Sequence, residues 1–307
     1  MKADTANASA VQATLIAAMA IWGLNVAAVK VLTAFFHPMA LASLRMLVAC
    51  AVLTAALLWK QRGGWRAPTW PQCGTIVVCA VLMVYLNQIL FAEGLLRSTA
   101  TNGALIMALS PLVSALIAAV AFRERLTLPR LAGVALGFAG VAAVVLSHPG
   151  AGLSSAGAGD LMLVAAVISF AAGGAIVQRL ARSMHTLTIS WAIYMVGTLM
   201  LTVHAGLKIP GLDRAALFPG WRPWSFILFS GVMATAVANI VWNAAIARIG
   251  VARTAVFLYW VPVFGVAFAA LLLGEELTPW HLFGFVAVVG GTYLGTRPTA
   301  PAASAAS

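Results

Sequence analysis

Long apolar runs separated by short polar breaks recur ten times along the chain, at about residues 12–34, 39–59, 72–92, 99–121, 131–147, 161–178, 188–207, 224–246, 254–273 and 281–296. Each is close to the roughly 17–25 residues that a helix needs to cross a bilayer. No stretch shows the short alternating segments of a transmembrane β-barrel. The pattern predicts an all-α membrane protein with ten transmembrane helices. The opening MKADTANASAVQ is too polar for a signal peptide, and the Ala-rich run after it meets Asn25 and Lys30, so cleavage is not expected.

Composition agrees with this reading and narrows it. Of 307 residues, 63% are hydrophobic and 8% are charged, whereas soluble domains carry about 25% charged residues. That excludes a cytosolic enzyme, a disordered chain and a secreted disulfide scaffold. The net charge of +11 would point to nucleic acid in a soluble protein. Here the basic residues fall between apolar runs, as the positive-inside bias places them. With the N-terminus in the cytoplasm, 12 Lys/Arg lie inside and 4 outside, with Lys30 and Arg45 left within spans. Both termini are therefore expected inside, and the tail 297–307, rich in Ala, Ser and Pro, is expected to be disordered. Cys50, Cys73 and Cys79 lie in apolar segments without CxxC spacing and read as small core residues.

A shift of 151 residues aligns the two halves of the chain. It carries Arg97 onto Arg248, Pro111 onto Pro262, Glu124 onto Glu275, Leu126-Thr127 onto Leu277-Thr278, Gly133 onto Gly284 and Gly140 onto Gly291. Each copy holds five spans. Five is odd, so the second copy must sit upside down, as in the inverted repeats of secondary transporters. The predicted organisation is a cytoplasmic segment 1–11, a five-helix repeat 12–147, an external linker 148–160, a second repeat 161–296 and the tail.

Several motifs together carry a family resemblance: Trp22-Gly23-x-Asn25 with Lys30, Leu44-Arg45, the run from Asn87 to Thr127 (NQILFAEGLLRSTATNGALIMALSPLVSALIAAVAFRERLT), and Pro262 with LLLGEELT. The chain resembles the drug/metabolite transporter superfamily, and within it the ten-helix EamA type, over essentially its whole length. The Ala-rich, aromatic-containing version seen here is similar to bacterial aromatic amino-acid exporters. The resemblance implies export of small metabolites, often amino acids, across a bacterial inner membrane.

The candidate functional residues follow from the cost of polar groups at membrane depth. Asn25, Gln88, Asn102 and Asn239 either bridge helices or line a cavity, and the 151 shift pairs Gln88 with Asn239. Trp22, Tyr85, Trp242, Tyr259 and Trp260 fall on spans one, three, eight and nine, which in the resembled family surround the central cavity; for most other span aromatics, packing or lipid contact is the simpler role. Lys30 and Arg45 either snorkel to the outer headgroups or attract a substrate carboxylate. Glu93, at the outer end of span three, is within reach of either and is a candidate for proton coupling. Pro111 and Pro262 loosen spans four and nine at equivalent places, as static kinks or as bends that let the bundle rock.

No GxxxxGK[ST], HExxH or GxSxG occurs, and no Cys/His ligand spacing. The reading is therefore neither an enzyme nor an ATPase, with no cofactor and no metal. The glycines at 133, 137, 140, 284 and 291 read as helix-packing faces, since no strand precedes them to make a dinucleotide loop. Expected partners are a small-molecule substrate (an amino acid or related metabolite) and the lipid bilayer, without nucleic acid, in a monomer or weak dimer. A multidrug exporter of lipophilic cations is the alternative. It is disfavoured because no Asp or Glu lies mid-span to hold a cation.

Overall fold

A computed structural model of the chain describes residues 2–60, 67–124, 126–147, 157–209, 217–273 and 277–296. The expected disordered tail, most of the expected external linker, and Arg62, Arg66, Arg125, Arg214, Glu275, Glu276 and Arg297 lie outside the described residues. Within them the chain is helical and has no strand. In order the helices are α1 (Lys2–Leu32), α2 (Pro38–Lys60), α3 (Trp70–Leu96), α4 (Ala100–Met107), α5 (Ser110–Phe122), α6 (Leu128–Ser147), α7 (Ala158–Leu180), α8 (Thr186–Lys208), α9 (Trp221–Ile249), α10 (Val251–Val256), α11 (Trp260–Leu273) and α12 (Pro279–Thr296).

Among the described residues, nine helical stretches are long and apolar enough to cross a membrane. The tenth expected span corresponds to α12, whose 18 residues are diluted by Pro279, His281 and several glycines. The outer surface is apolar rather than charged: Val120 is 85% and Leu199 67% exposed. Trp70 and Trp221, exposed at 90% and 79%, stand at the first residues of α3 and α9, where indoles anchor a helix in the interface. This is a multi-pass membrane protein.

Local chemistry sets the helix ends. Pro38 and Pro71 occupy first-turn positions, where no intrahelical donor is lost. Gln72 reaches back to accept from the Thr69 amide at 2.8 Å. Arg123 ends α5 in the left-handed conformation with φ 55°. Gly250, at φ 84°, turns α9 into α10, and the freed Val251 amide donates to Gln178 Oε1 of α7 at 2.7 Å. The segment expected to precede the first span is helical from Lys2 and continuous with α1, in keeping with its alanine content.

Small residues fix how closely the helices approach. α6 and α12 cross through Gly133, Gly137 and Gly140 against Gly284, Gly291 and Gly295; a Cβ on Gly133 would stand 2.6 Å from the Gly291 carbonyl oxygen. α1 meets α11 at Gly23, and α2 meets α9 where Gly231 faces Val48 and the Arg45 carbonyl. The largest buried cluster runs through α1, α2, α3, α5, α7, α8, α9 and α10. Elements from both ends of the sequence thus share one core.

The bundle departs from plain α-helix in two ways. α3 carries a π-helical segment at Val81–Leu86, and α9 carries one at Ser230–Val237. Spans four and nine, expected as single helices loosened at a proline, are interrupted. α4 stops at Met107 and α5 starts at Ser110, while a 3-10 turn at Phe257–Tyr259 separates α10 from α11. Pro111 and Pro262 lie in the first turns of the helices after the breaks, where a missing N–H costs nothing.

Candidate functional site

A π segment widens the helix by one residue and leaves backbone carbonyls without their usual partners. In α9 these carbonyls are taken up by side chains. Trp22 Nε1 of α1 donates to the Ala234 carbonyl at 2.8 Å. Asn239 Nδ2 donates to the same carbonyl at 3.3 Å and to that of Thr235 at 2.9 Å. Thr235 Oγ1 donates to the Ser230 carbonyl at 2.9 Å, and Ser230 Oγ donates to Asn25 Oδ1. In α3 the Leu82 carbonyl accepts from Ser169 Oγ of α7. Three residues singled out as cavity-lining, Trp22, Asn25 and Asn239, are therefore tied to the π segment of α9.

The Trp22 ring also stands 5.4 Å from that of Trp242, which in turn lies 5.9 Å from Phe170 of α7. Trp242 is buried, and its Nε1 is enclosed without a hydrogen-bond partner among the described residues. The adjacent Asn243 donates to Ser190 Oγ at 2.9 Å and leaves its enclosed Oδ1 unpartnered. An unsatisfied indole N–H thus sits in an aromatic cluster where α1, α7 and α9 meet, while the Asn243 oxygen, unpartnered among the described residues, lies where α9 meets Ser190 of α8. Tyr85, inside the α3 π segment, pairs its hydroxyl with His204 Nδ1 of α8 at 2.9 Å. Gln88 is half-buried and makes no side-chain hydrogen bond among the described residues.

The other singled-out residues lie apart from this cluster. Asn102 binds Asp160 at the first turn of α7, where Ser98 and the Gly157 amide also donate to the carboxylate; it joins the α3–α4 turn to α7. Tyr259 packs its ring on Gly137 of α6 and donates to the Val134 carbonyl at 3.0 Å. Trp260 donates to Thr292 Oγ1 of α12 at 3.0 Å and stacks near Phe264. Glu93 pairs with Arg97, the residue that caps the end of α3, and not with Lys30 or Arg45. Lys30 is exposed near the end of α1. Arg45 is half-buried, and its enclosed Nε has no partner among the described residues.

A distinct cavity of about 280 Å³ lies between α6, α11 and α12, lined by Val141, Val144, Pro262, Val266 and Phe285 among others. Its walls are almost entirely apolar, and none of the aromatic-cluster residues contributes to it. No group of three His, Cys, Asp or Glu side chains among the described residues is placed to hold a metal. The serines and threonines that complete the network (Ser169, Ser190, Ser230 and Thr235) were not singled out from the sequence. Small hydroxyls are common in apolar helices, and only the neighbouring helix shows which of them has a partner.

The fold and this cluster define a helical membrane bundle with polar side chains packed among aromatic rings. The sequence profile of the EamA-like transporter family matches residues 10–146 and again residues 157–297, and the chain belongs to that family. A probable amino-acid metabolite efflux pump of Salmonella typhimurium is 27% identical over 89% of this chain and 90% of its own length. An S-adenosylmethionine/S-adenosylhomocysteine transporter of Chlamydia trachomatis is also 27% identical, over 90% and 85%. A solved crystal structure superposes with a TM-score of 0.81 at 20% identity, covering 93% of this chain and 96% of the other, which shows the shared fold. The chain is thus similar to transporters, with a small-molecule substrate and a lipid environment.

Proposed function

We propose that the protein is a secondary exporter of small metabolites, with amino acids bearing aromatic or other large apolar side chains as its substrates. The observation that carries this reading is the Trp22–Trp242–Phe170 cluster with the indole N–H of Trp242, which has no partner among the described residues. Rings supply an apolar, shape-selective wall for such a side chain, and the indole N–H supplies one donor. The name of the Salmonella relative supports an amino-acid substrate. The name of the Chlamydia relative, whose compounds also carry an amino-acid group, fits the same reading.

In this reading substrate binds between two inverted five-helix repeats in a bacterial inner membrane, with both termini cytoplasmic, and access alternates as the repeats rock. The π segments of α3 and α9, and the breaks before α5 and α11, are the compliant points. Both kinds of feature recur under the 151 shift: it carries Val81–Leu86 onto 232–237, inside the second π segment, and Ala108 onto Tyr259. Export of lipophilic cations is less well supported. Among the described residues the carboxylates of Glu93, Glu124 and Asp160 stand at helix ends and are already bonded to Arg97, Arg130 and Ser98.

The test is uptake into liposomes holding the purified protein, using radiolabelled phenylalanine, tryptophan, threonine and a lipophilic cation. Saturable amino-acid flux that a Trp242→Ala variant loses is expected. Cation flux alone, or no amino-acid flux above empty liposomes, would overturn the substrate assignment and leave only the fold.

A further inference from the structure

We infer that Arg45, with Tyr194 and Thr202 of α8, forms an anion site that selects transported molecules carrying a carboxylate. The inference rests on the export reading above and adds a separate carboxylate-selecting station, about 18 Å along α8 from the Ser190–Asn243 pair.

The site is built by the register of α2 against α8. Cys50 Sγ meets Thr198 Oγ1 at 3.2 Å, and Trp191 Nε1 donates to Thr54 Oγ1 at 3.0 Å, so the two helices run antiparallel with these pairs level. Moving from Cys50 toward the start of α2 reaches Arg45 after about 7.5 Å of rise; moving from Thr198 toward the end of α8 reaches Thr202 after about 6 Å. Arg45 and Thr202 are therefore at nearly the same height. Tyr194, Thr198 and Thr202 recur at four-residue spacing and share the face of α8 that packs on α2. The Tyr194 phenol lies within electrostatic reach of Arg45.

These groups form an unfinished hydrogen-bond set. Arg45 Nε and Thr202 Oγ1 are enclosed without partners, and the Arg45 and Tyr194 side chains make no hydrogen bond among the described residues. No carboxylate there forms an ion pair with Arg45, and Glu93, its candidate counter-ion, is held by Arg97. A guanidinium, a phenol and a hydroxyl all donate, and their summed charge is +1, which complements a single carboxylate. A cation at this depth is costly unless it has a function or a partner. Only Nε is enclosed, so the two terminal nitrogens of the guanidinium stay open to a ligand. The Arg45 carbonyl also faces Gly231 in the α9 π segment, so an anion bound here lies beside one of the compliant points.

The experiment is thermal unfolding of the full-length protein in a neutral detergent, titrated with phenylalanine, leucine, threonine and 3-phenylpropionate, and with the amides of the three amino acids. Wild type, Arg45→Gln, Arg45→Lys and Thr202→Val are compared. Carboxylates are expected to stabilise the wild type and amides not to. Arg45→Gln should bind carboxylates roughly ten- to hundredfold more weakly, the range for losing a hydrogen-bonded charge, with Arg45→Lys intermediate. Several results would overturn the assignment: no response to any carboxylate, equal response to acids and amides, or a response that survives Arg45→Gln. Stabilisation by phosphatidylglycerol, but by no carboxylate, that vanishes in Arg45→Gln would give the site to a lipid phosphate instead. Carboxylate-selective stabilisation without liposome flux would keep the site and sink the export reading. Flux unaffected by Arg45→Gln would do the reverse.

Discussion

Trp22 has two jobs that a single substitution separates. Its ring packs against Trp242, and its Nε1 holds the Ala234 carbonyl at 2.8 Å. Trp22→Phe keeps much of the ring and removes the donor. The carbonyl is then left with Asn239 Nδ2 at 3.3 Å, while that amide keeps its better bond to Thr235 at 2.9 Å. Hydrogen bonds between membrane helices are worth about 0.6 kcal/mol on average, so Trp22→Phe is expected to lose roughly that much from this contact, and Asn239→Ala, whose bonds stay within α9, about 0.5–1.5 kcal/mol. Removing both donors is different in kind. A buried acceptor with no partner costs roughly 1–3 kcal/mol, so Trp22→Phe with Asn239→Ala should exceed the sum of the singles by about 1 kcal/mol. The lost indole volume appears in both Trp22→Phe backgrounds and cancels in the cycle. The assay is equilibrium unfolding in mixed micelles for all four proteins, with transport measured in parallel. Trp22→Ala should additionally weaken substrate affinity, because only it removes the ring. A coupling energy below about 0.3 kcal/mol, inside ordinary additivity, would refute the idea that indole and amide share the carbonyl.

The same geometry sets four other outcomes. Glu124→Gln strips the buried Arg130 of its partner at 3.0 Å; breaking a buried pair costs about 3–5 kcal/mol, reduced here to about 1–3 because Glu124 is partly exposed, and the loss should show as a lower unfolding midpoint that Arg130→Gln partly restores. Glu93→Gln removes a solvent-facing pair within one helix, so stability should change by under about 0.5 kcal/mol and the pH profile of transport should be unchanged; loss of pH-driven flux in that variant would make Glu93 the coupling residue after all. Asp160→Asn weakens the junction of Ser98, Asn102 and the Gly157 amide, measurable as a lower unfolding midpoint. Gly133→Val would drive a side chain into the α12 backbone, 2.5 Å from the Gly295 nitrogen; since neither backbone can give way cheaply, loss of folded protein in size-exclusion chromatography is expected.

The spans were legible because length and hydropathy decide them, and among the described residues nine helical stretches fall where the apolar runs lie. Pro111 and Pro262 marked the broken spans, although the breaks fall just before them. The π segments had no sequence signature. VLMVYL and SGVMATAV are as compatible with plain α-helix, and only a partner for the released carbonyl distinguishes the two. For the same reason Asn239 reads as a ligand-lining amide in the sequence while both of its donor contacts run to its own helix. The Glu93–Arg97 pair was missed because Glu93 was read toward Lys30 and Arg45, although four-residue spacing is the ordinary sign of such a pair. The register that brings Thr202 level with Arg45 was not legible, because it depends on how α2 packs against α8.

The two π segments coincide under the 151 shift, but the groups that hold them do not. The shift carries Trp22 onto Gly173, which packs against Met83 of the α3 segment and has no donor side chain. It carries Gln88 onto Asn239; the asparagine binds two carbonyls, and the glutamine binds nothing among the described residues. The α3 segment relies instead on Ser169, whose counterpart in the first half is Ala18. One bend is therefore fastened by an indole and an amide, the other by a single hydroxyl. Were the halves identical, states opened at one face and at the other would have equal energy. Unequal fastening removes that degeneracy, because straightening α9 must give up more hydrogen bonds than straightening α3. On the rocking mechanism proposed above, these polar side chains would set the preference between the two open states, and substitutions at Trp22 and Asn239 should shift it in one direction and Ser169→Ala in the other.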